Sequence, residues 1–344
     1  MALRYIDSMG DHYTDAQAPL KWTSTVSPIR VAGLHGYGMR GGFSKGMLFG
    51  SSTLIMEVSL KRLHAEQIFA IGDTTHGTQI LVTYALDGSI KVVRFGSDPD
   101  GADFIVQTPP DLIRTGTWYH FGWKVFLHAS AGTVEVRLNG ETIVNVTGVR
   151  TIATAALIAG TTIGSFSVGS GGNATIFDDL VVMDDVDDGI DDPRLPGGGG
   201  FDKFVGPVSI GVKHPNGAGL LAEWVPTPTV PNDQNVDDPT PDSDTTFNSA
   251  APDAVGDSDL FTMEPLGLDE DVVAVQSLVL ARSDDGIAAL ATLVHDGGTT
   301  TAGPTVYQPN SYSYMHTPEP TRPDGSLWTV AAWDAIQYGY RRIV

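Results

Sequence analysis

The chain has 344 residues, with forty glycines, twenty-one prolines, no cysteine and a formal net charge of −21. The absence of a thiol excludes a disulfide scaffold, a thiolate zinc site and a cysteine nucleophile, and the charge opposes binding to nucleic acid or an anionic membrane. Of the acidic residues eight are Glu and thirty-three are Asp, a bias toward turn formers that reads as turn-rich β structure with a solubilising acidic surface.

That length predicts two domains rather than one core. The opening "MALRYIDSMGDHY" has no basic start followed by an apolar stretch, so no secretion signal is expected. No apolar run approaches the roughly 20 residues that would span a bilayer.

From 51 to 185 the sequence reads as successive strands. In "TLIMEVSLKR", Leu54, Met56, Val58 and Leu60 recur at every second position, the period that puts side chains on one face of a strand. "QILVTYALDGSIKVVRFG" predicts a hairpin turning at Asp87-Gly88. "WYHFGWKVFLH" puts Tyr119, Phe121, Trp123, Val125 and Leu127 on one face, and it should pair with "TVEVRLNG". Asn139-Gly140 then supplies the positive φ values that a two-residue hairpin loop needs. "ATIFDDLVVMDD" closes the series. Strands at this spacing, with Gly/Asp/Pro turns and no convincing helix, predict an antiparallel sandwich or barrel.

At "DDVDDGIDDPRLPGGGG" the composition shifts to acidic residues, proline and glycine, which marks a boundary. The predicted organisation is a first domain over 1–185, a linker over 186–200 and a second β domain over 201–344. In the second domain "GPVSIGVKH" alternates through Val208, Ile210 and Val212 and predicts a strand. "DVVAVQSLVLARSDDGIAALATLVHDGG" predicts two strands turning near Asp284–Gly286. The intervening 226–259 stretch, rich in Pro and Asp, has the composition of disordered chain. A short helical turn over 329–337 precedes a final strand.

Catalytic and metal patterns fail their context tests. Gly36, Gly38 and Gly41 satisfy G-x-G-x-x-G, but a strand-like stretch follows where a dinucleotide site needs a helix. The nine histidines show no zinc spacing, and no G-x-S-x-G elbow occurs. The Glu-x-Asp-x-x-Glu strand pattern of laminarinase-like enzymes is also missing. The run Asp184, Asp185, Asp187, Asp188, Asp191 and Asp192 lacks calcium-loop spacing, because Val186 falls at the third position when Gly189 is the sixth. It reads as a solvated linker. Asp178 and Asp179 differ, since one of them must share a face with buried apolar neighbours. A carboxylate there needs a hydrogen-bond network or a cation, and any cation should be calcium at the edge of the first domain. No catalytic residue and no other cofactor are expected. Aromatic platforms for a sugar's apolar face are sought at Tyr37 and Phe43 in the glycine-rich 33–46 stretch, and at Tyr307, Tyr312 and Tyr314.

"GTWYHFGWKVFLHASAGTVEVRLNGETIV" followed by "FDDLVVMDD" resembles the closing strands of concanavalin A-like (laminin-G-like) jelly rolls. "YIDSMGDHYTDAQAPLKWTS", "MRGGFSKGML", "GPVSIGVKHPNGAGLLAEWVP", "DDPTPDSDTTFNSA" and "LWTVAAWDAIQYGYRRIV" are similar to virion proteins of tailed bacteriophages. The resemblance implies an all-β chain: a concanavalin A-like jelly-roll sandwich followed by a second, smaller β-sandwich-like domain. It further implies a non-enzymatic structural component of the virion, in a tail fibre, baseplate, collar or capsid decoration. The expected partners are other virion proteins and copies of the chain itself, with neighbouring chains ordering the 226–259 stretch. The alternative is a receptor-binding lectin module that attaches to host surface glycan.

Overall fold

The runs of alternating apolar residues between 51 and 150 become strands. The structure, a computed structural model, describes residues 3–11, 13–46, 50–64, 66–73, 77–95, 103–153, 162–169, 175–187, 189–195, 200–266 and 271–344. The chain divides into two compact units, Met1–Ile210 and Gly211–Val344.

The first unit contains β1 (Leu3–Asp7), β2 (Ser24–Ala32), β3 (Tyr37–Gly46), β4 (Thr53–Arg62), β5 (Glu66–Asp73) and β6 (Gly77–Tyr84). They are followed by β7 (Ile90–Arg94), β8 (Asp103–Gln107), β9 (Trp118–Phe126), β10 (Gly132–Leu138), β11 (Glu141–Val149), β12 (Ile163–Val168) and β13 (Thr175–Met183). One antiparallel sheet runs β11-β10-β9-β4-β13-β3-β12-β5-β6-β7-β8, with β1 added on β13 and β2 on β3. Its two ends, β8 and β11, come together, so the sheet rolls over a single core as a jelly-roll-like sandwich. The expected inward residues fill that core: Leu54, Met56, Val58, Leu60, Phe121, Trp123, Val125, Val134 and Val136 are all buried. Trp123 stacks on Phe69 with ring centroids 5.4 Å apart. The β10–β11 hairpin turns where expected, with φ of +52° at Asn139 and +85° at Gly140.

The first unit does not stop at 185. Asp184 is buried against Arg4, and Asp192 is buried in a pair with Arg194, so the acidic run is not a uniformly solvated linker. Leu195, Phe201, Phe204 and Val205 are also buried. Phe204 lies where Gly122 leaves room, since a Cβ on Gly122 would come within 2.9 Å of its ring. The Arg137 guanidinium stands 4.2 Å from the centre of the same ring. The Val205 and Gly206 N–H groups donate to the buried Glu57 carboxylate, whose Oε1 also meets His120 Nε2 at 2.9 Å. A buried carboxylate with these three partners is satisfied. Residues 200–210 therefore form a strap on the first unit. The strand expected over "GPVSIGVKH" is absent there: the Gly206 N–H donates to Glu57 and the Ile210 N–H to Asp179, and not to a neighbouring strand. Asp188 and residues 196–199 lie outside the described residues.

The second unit contains β14 (Pro215–Ala222), β15 (Val225–Thr227), β16 (Phe247–Ser249), β17 (Ser258–Met263), β18 (Val275–Ala281) and β19 (Ala289–Asp296). β20 (Thr299–Ala302), β21 (Val306–Tyr307), β22 (Ser313–Glu319) and β23 (Gln337–Arg342) complete it. The main sheet runs β14-β17-β23-β19-β20 with β21 on β19; β15 pairs β16, and β18 pairs β22. The two strands expected on either side of Asp284–Gly286 form, but each pairs elsewhere. A short helix, α1 (Val330–Ala335), occupies the predicted place, capped by the Thr329 hydroxyl, which accepts from Ala332 N–H at 3.1 Å. Trp328, Trp333, Ile336, Tyr338 and Val294 form one apolar cluster of this unit.

The 226–259 stretch is ordered, contrary to its composition. Asp259 is fully buried on β17. Its Oδ1 accepts from the Glu223 and Trp224 N–H groups, and its Oδ2 accepts from Asn232, Asn248 and Tyr340. Asn235 adds bonds to the Pro228 and Phe247 carbonyls. Side-chain amides thus do the work that a hydrophobic face would otherwise do.

Candidate functional site

β2 and β3 form a hairpin whose connection, Gly33-Leu34-His35-Gly36, sits over β13. There the pairing of β13 with β4 breaks between Asp178 and Val181, and Asp179 takes φ of +52°. This bulge inserts one residue into the strand, which breaks the alternation of faces. Both carboxylates are consequently buried, where unbroken alternation places only one of them inside.

Each buried oxygen has a partner. Asp178 Oδ2 accepts from Leu34 N–H at 2.7 Å and His35 N–H at 3.0 Å, and Asp178 Oδ1 accepts from Asp179 N–H at 3.0 Å. Asp179 Oδ2 meets His35 Nδ1 at 2.6 Å, and Asp179 Oδ1 accepts from Ile210 N–H at 2.8 Å. Asp11 Oδ1 accepts from Tyr37 N–H at 2.7 Å. Two glycines allow this approach: a Cβ on Gly33 would fall 2.5 Å from Asp178 Oδ2, and one on Gly36 2.6 Å from Asp11 Oδ1. Burial pushes the Asp178 carboxyl up to about 7, helped by the Asp179 charge and opposed by the His35 and Leu34 N–H groups. Burial also raises Asp179, against the hydrogen bond from His35, and raises Asp11.

The ligand atoms of His35, Asp178 and Asp179 lie within 4.8 Å of one another. An imidazole in the set suits zinc or a transition ion better than calcium, which prefers oxygen alone. All four oxygens of the aspartate pair hold N–H or imidazole partners, so the arrangement works as a hydrogen-bonded cradle for the loop. What the cradle presents is Leu34, His35 and Tyr37, all exposed. Tyr37 is 50% exposed, and the Arg30 guanidinium lies 3.7 Å from its ring centre.

Of the five aromatic candidates, Tyr37 opens β3 directly after this loop and Phe43 is not available. Phe43 is 1% exposed and packs on Trp22 at 5.4 Å; it points into the core, so it cannot stack on a sugar. The other three belong to the second unit. Tyr307 is 70% exposed. Tyr312 donates to Asp244 at 2.9 Å with Arg282 over its ring at 5.0 Å, and Tyr314 is half-buried on β22. Sequence reasoning found Tyr37 and the aspartate pair but missed Asp11, Arg30 and His35. His35 and Asp179 are 144 residues apart, and no local spacing marks such a pair.

No helix among the described residues is long and apolar enough to cross a membrane. Comparison with protein-family models gives no match, and neither does comparison with curated proteins. Among solved structures, alginate lyase Aly36B is 12% identical, with 53% of this chain and 95% of that one covered and a TM-score of 0.34. Caenorhabditis elegans galectin LEC-6 is 11% identical over 40% of this chain and 88% of its own, with a TM-score of 0.27. The CBM40 of a Ruminococcus gnavus sialidase is 12% identical over 47% and 91%, with a TM-score of 0.29. At these values function has to be read from the chain's own side chains.

Proposed function

We propose that the chain is a non-enzymatic glycan-binding module that recognises its ligand through the loop between β2 and β3. The observation that carries this reading is the contrast between a rigid base and an exposed tip. Three buried or half-buried carboxylates fix the backbone of Leu34, His35 and Tyr37, while the side chains of those residues face water. A sugar binds where an aromatic face meets a few fixed polar groups, and a loop held in place before binding loses little freedom on binding. Tyr37 offers the ring; Arg30 and His35 offer donors beside it. The test is a glycan array probed with the intact protein and with Tyr37→Ala. Binding to a defined glycan class that falls at least tenfold in the variant supports the reading, and unchanged binding removes it.

The second reading, a structural protein of a tailed-phage virion that assembles with other virion proteins and with copies of itself, is favoured by the sequence motifs of both halves. It is compatible with the first, since a lectin module can be carried on a particle made in the bacterial cytoplasm. Exposed Leu220, Val225, Ile287 and Tyr307 on the second unit supply apolar surface for such contacts. Locating the chain in an intact particle by cryo-electron microscopy tests it, and absence from purified virions rules it out.

A further inference from the structure

We propose that the seam where the first unit's sheet closes is a second saccharide subsite, one that selects a carboxylate. The inference rests on the glycan-binding reading above and names the class of saccharide: a pyranose carrying a carboxylate, such as a uronate or a sialate.

The seam lies between β8 and β11, the two ends of the strand order, and it holds a groove of about 270 Å³ lined by Arg94, Phe104, Ile105, Val149 and Arg150. This volume is just below the roughly 300 Å³ at which small-molecule sites begin, so it suits one ring and not a folded chain. Two guanidiniums in one small groove run against the composition, which has 20 Lys and Arg against 41 Asp and Glu. Elsewhere Arg4, Arg137, Arg194, Arg282 and Arg322 each pair with a carboxylate. Arg150 pairs with none, and neither do Arg62 and Arg342, but where those two hold several carbonyls it donates only to the Ala153 carbonyl, at 3.1 Å, among the described residues. That single bond steadies the side chain, and its remaining donors have no partner among the described residues. Arg94 has an interaction of its own, which makes Arg150 the stronger anchor. Phe104 is 59% exposed and gives an apolar wall.

A guanidinium takes a carboxylate through two parallel N–H···O bonds, and an exposed aromatic ring beside it takes the apolar face of the same sugar. The molecule's overall charge of −21 repels densely charged polyanions. One carboxylate per ring, held at short range by a fork, is the anionic ligand that this field tolerates best.

The test compares two probes, an alternating uronate polysaccharide and its carboxyl-reduced counterpart, with a sialylated and a desialylated oligosaccharide as a parallel pair. The intact protein should bind the acid form of one pair about tenfold or more tighter than the neutral form, a difference of about 1.4 kcal/mol. Arg150→Gln should abolish that preference. Arg150→Lys, which keeps the charge and loses the fork, should recover it only in part. Thermal melting of each variant shows whether it is folded, and Arg94→Gln gives an independent loss of preference should Arg150→Gln prove unstable. Equal binding of acid and neutral forms, with a response to Tyr37→Ala, overturns this inference while the loop reading stands. Failure to bind any glycan overturns both. Equally tight binding of a sulfated polysaccharide also sinks the proposal, since it reveals a general anion site.

Discussion

Asp178 and Asp179 show what one inserted residue does. The sequence announces a conflict, because two adjacent carboxylates interrupt a run of apolar residues on a strand. It does not announce the resolution, a bulge with Asp179 at positive φ, because bulges depend on the partner strand. Nor does it reveal that the partners are backbone groups of a loop far away in the chain. The raised Asp178 carboxyl gives a pH test. A carboxyl whose folded value, about 7, lies above its unfolded value near 3.9 binds more protons when folded, so its contribution to stability grows as pH falls from about 8 to 4. Asp178→Asn cannot titrate and puts an amide where three N–H groups expect acceptors. The variant should be less stable by about 1–3 kcal/mol. The gap in melting temperature between the two proteins should widen as pH is lowered from 8 to 5. A gap that is constant with pH would show that Asp178 is charged throughout. Because each oxygen of the aspartate pair already has a partner, millimolar calcium or a chelator should move the melting temperature by less than about 1 °C. A rise of several degrees with calcium alone would restore the cation expected from the sequence.

Elements were legible where their stability comes from a face, and illegible where it comes from a side-chain partner. Leu54, Met56, Val58, Leu60, Phe121, Trp123 and Val125 mark β4 and β9 by spacing alone, and the Asn139-Gly140 turn fixes the register of β10 and β11. The alternation Val208, Ile210, Val212 has the same spacing, yet no strand forms, because Glu57 and Asp179 take N–H groups that a sheet ladder would need. Two substitutions test these opposite cases. Trp123→Ala should cost about 3–5 kcal/mol by leaving a cavity against Phe69, read from chemical denaturation; a wild-type midpoint would place Trp123 outside the core. Phe204→Ala empties the notch over Gly122 and should also cost about 3–5 kcal/mol if the strap is integral to the first unit. A loss below about 0.5 kcal/mol, the scale of an ordinary surface change, would return residues 201–210 to the second domain, where the sequence places them.

At the scale of the whole molecule the open question is what orders the Pro- and Asp-rich 226–259 stretch. Fixing a residue costs on the order of 1–2 kcal/mol, and the stretch has too few apolar residues to offset that by burial. The sequence therefore points to neighbouring chains as the source of contacts. The structure supplies them inside the second unit, since Asp259 collects Glu223, Trp224, Asn232, Asn248 and Tyr340 on its two oxygens. Such a hub is invisible in composition because Asn and Asp are counted as polar whether or not they meet. Self-association is thus left to the outer surface, where a net charge of −21 favours contact only between apolar patches or across screened charge. Hydrogen exchange separates the two sources of order. If the hub is sufficient, amide protection over 226–249 should be the same at low and high protein concentration, because no neighbour contributes to it. Asp259→Ala should then abolish protection across that stretch, while Trp123 and the rest of the first unit keep theirs. Protection that fades on dilution of the wild-type protein, or survives in Asp259→Ala, would return the ordering of this stretch to contacts between copies.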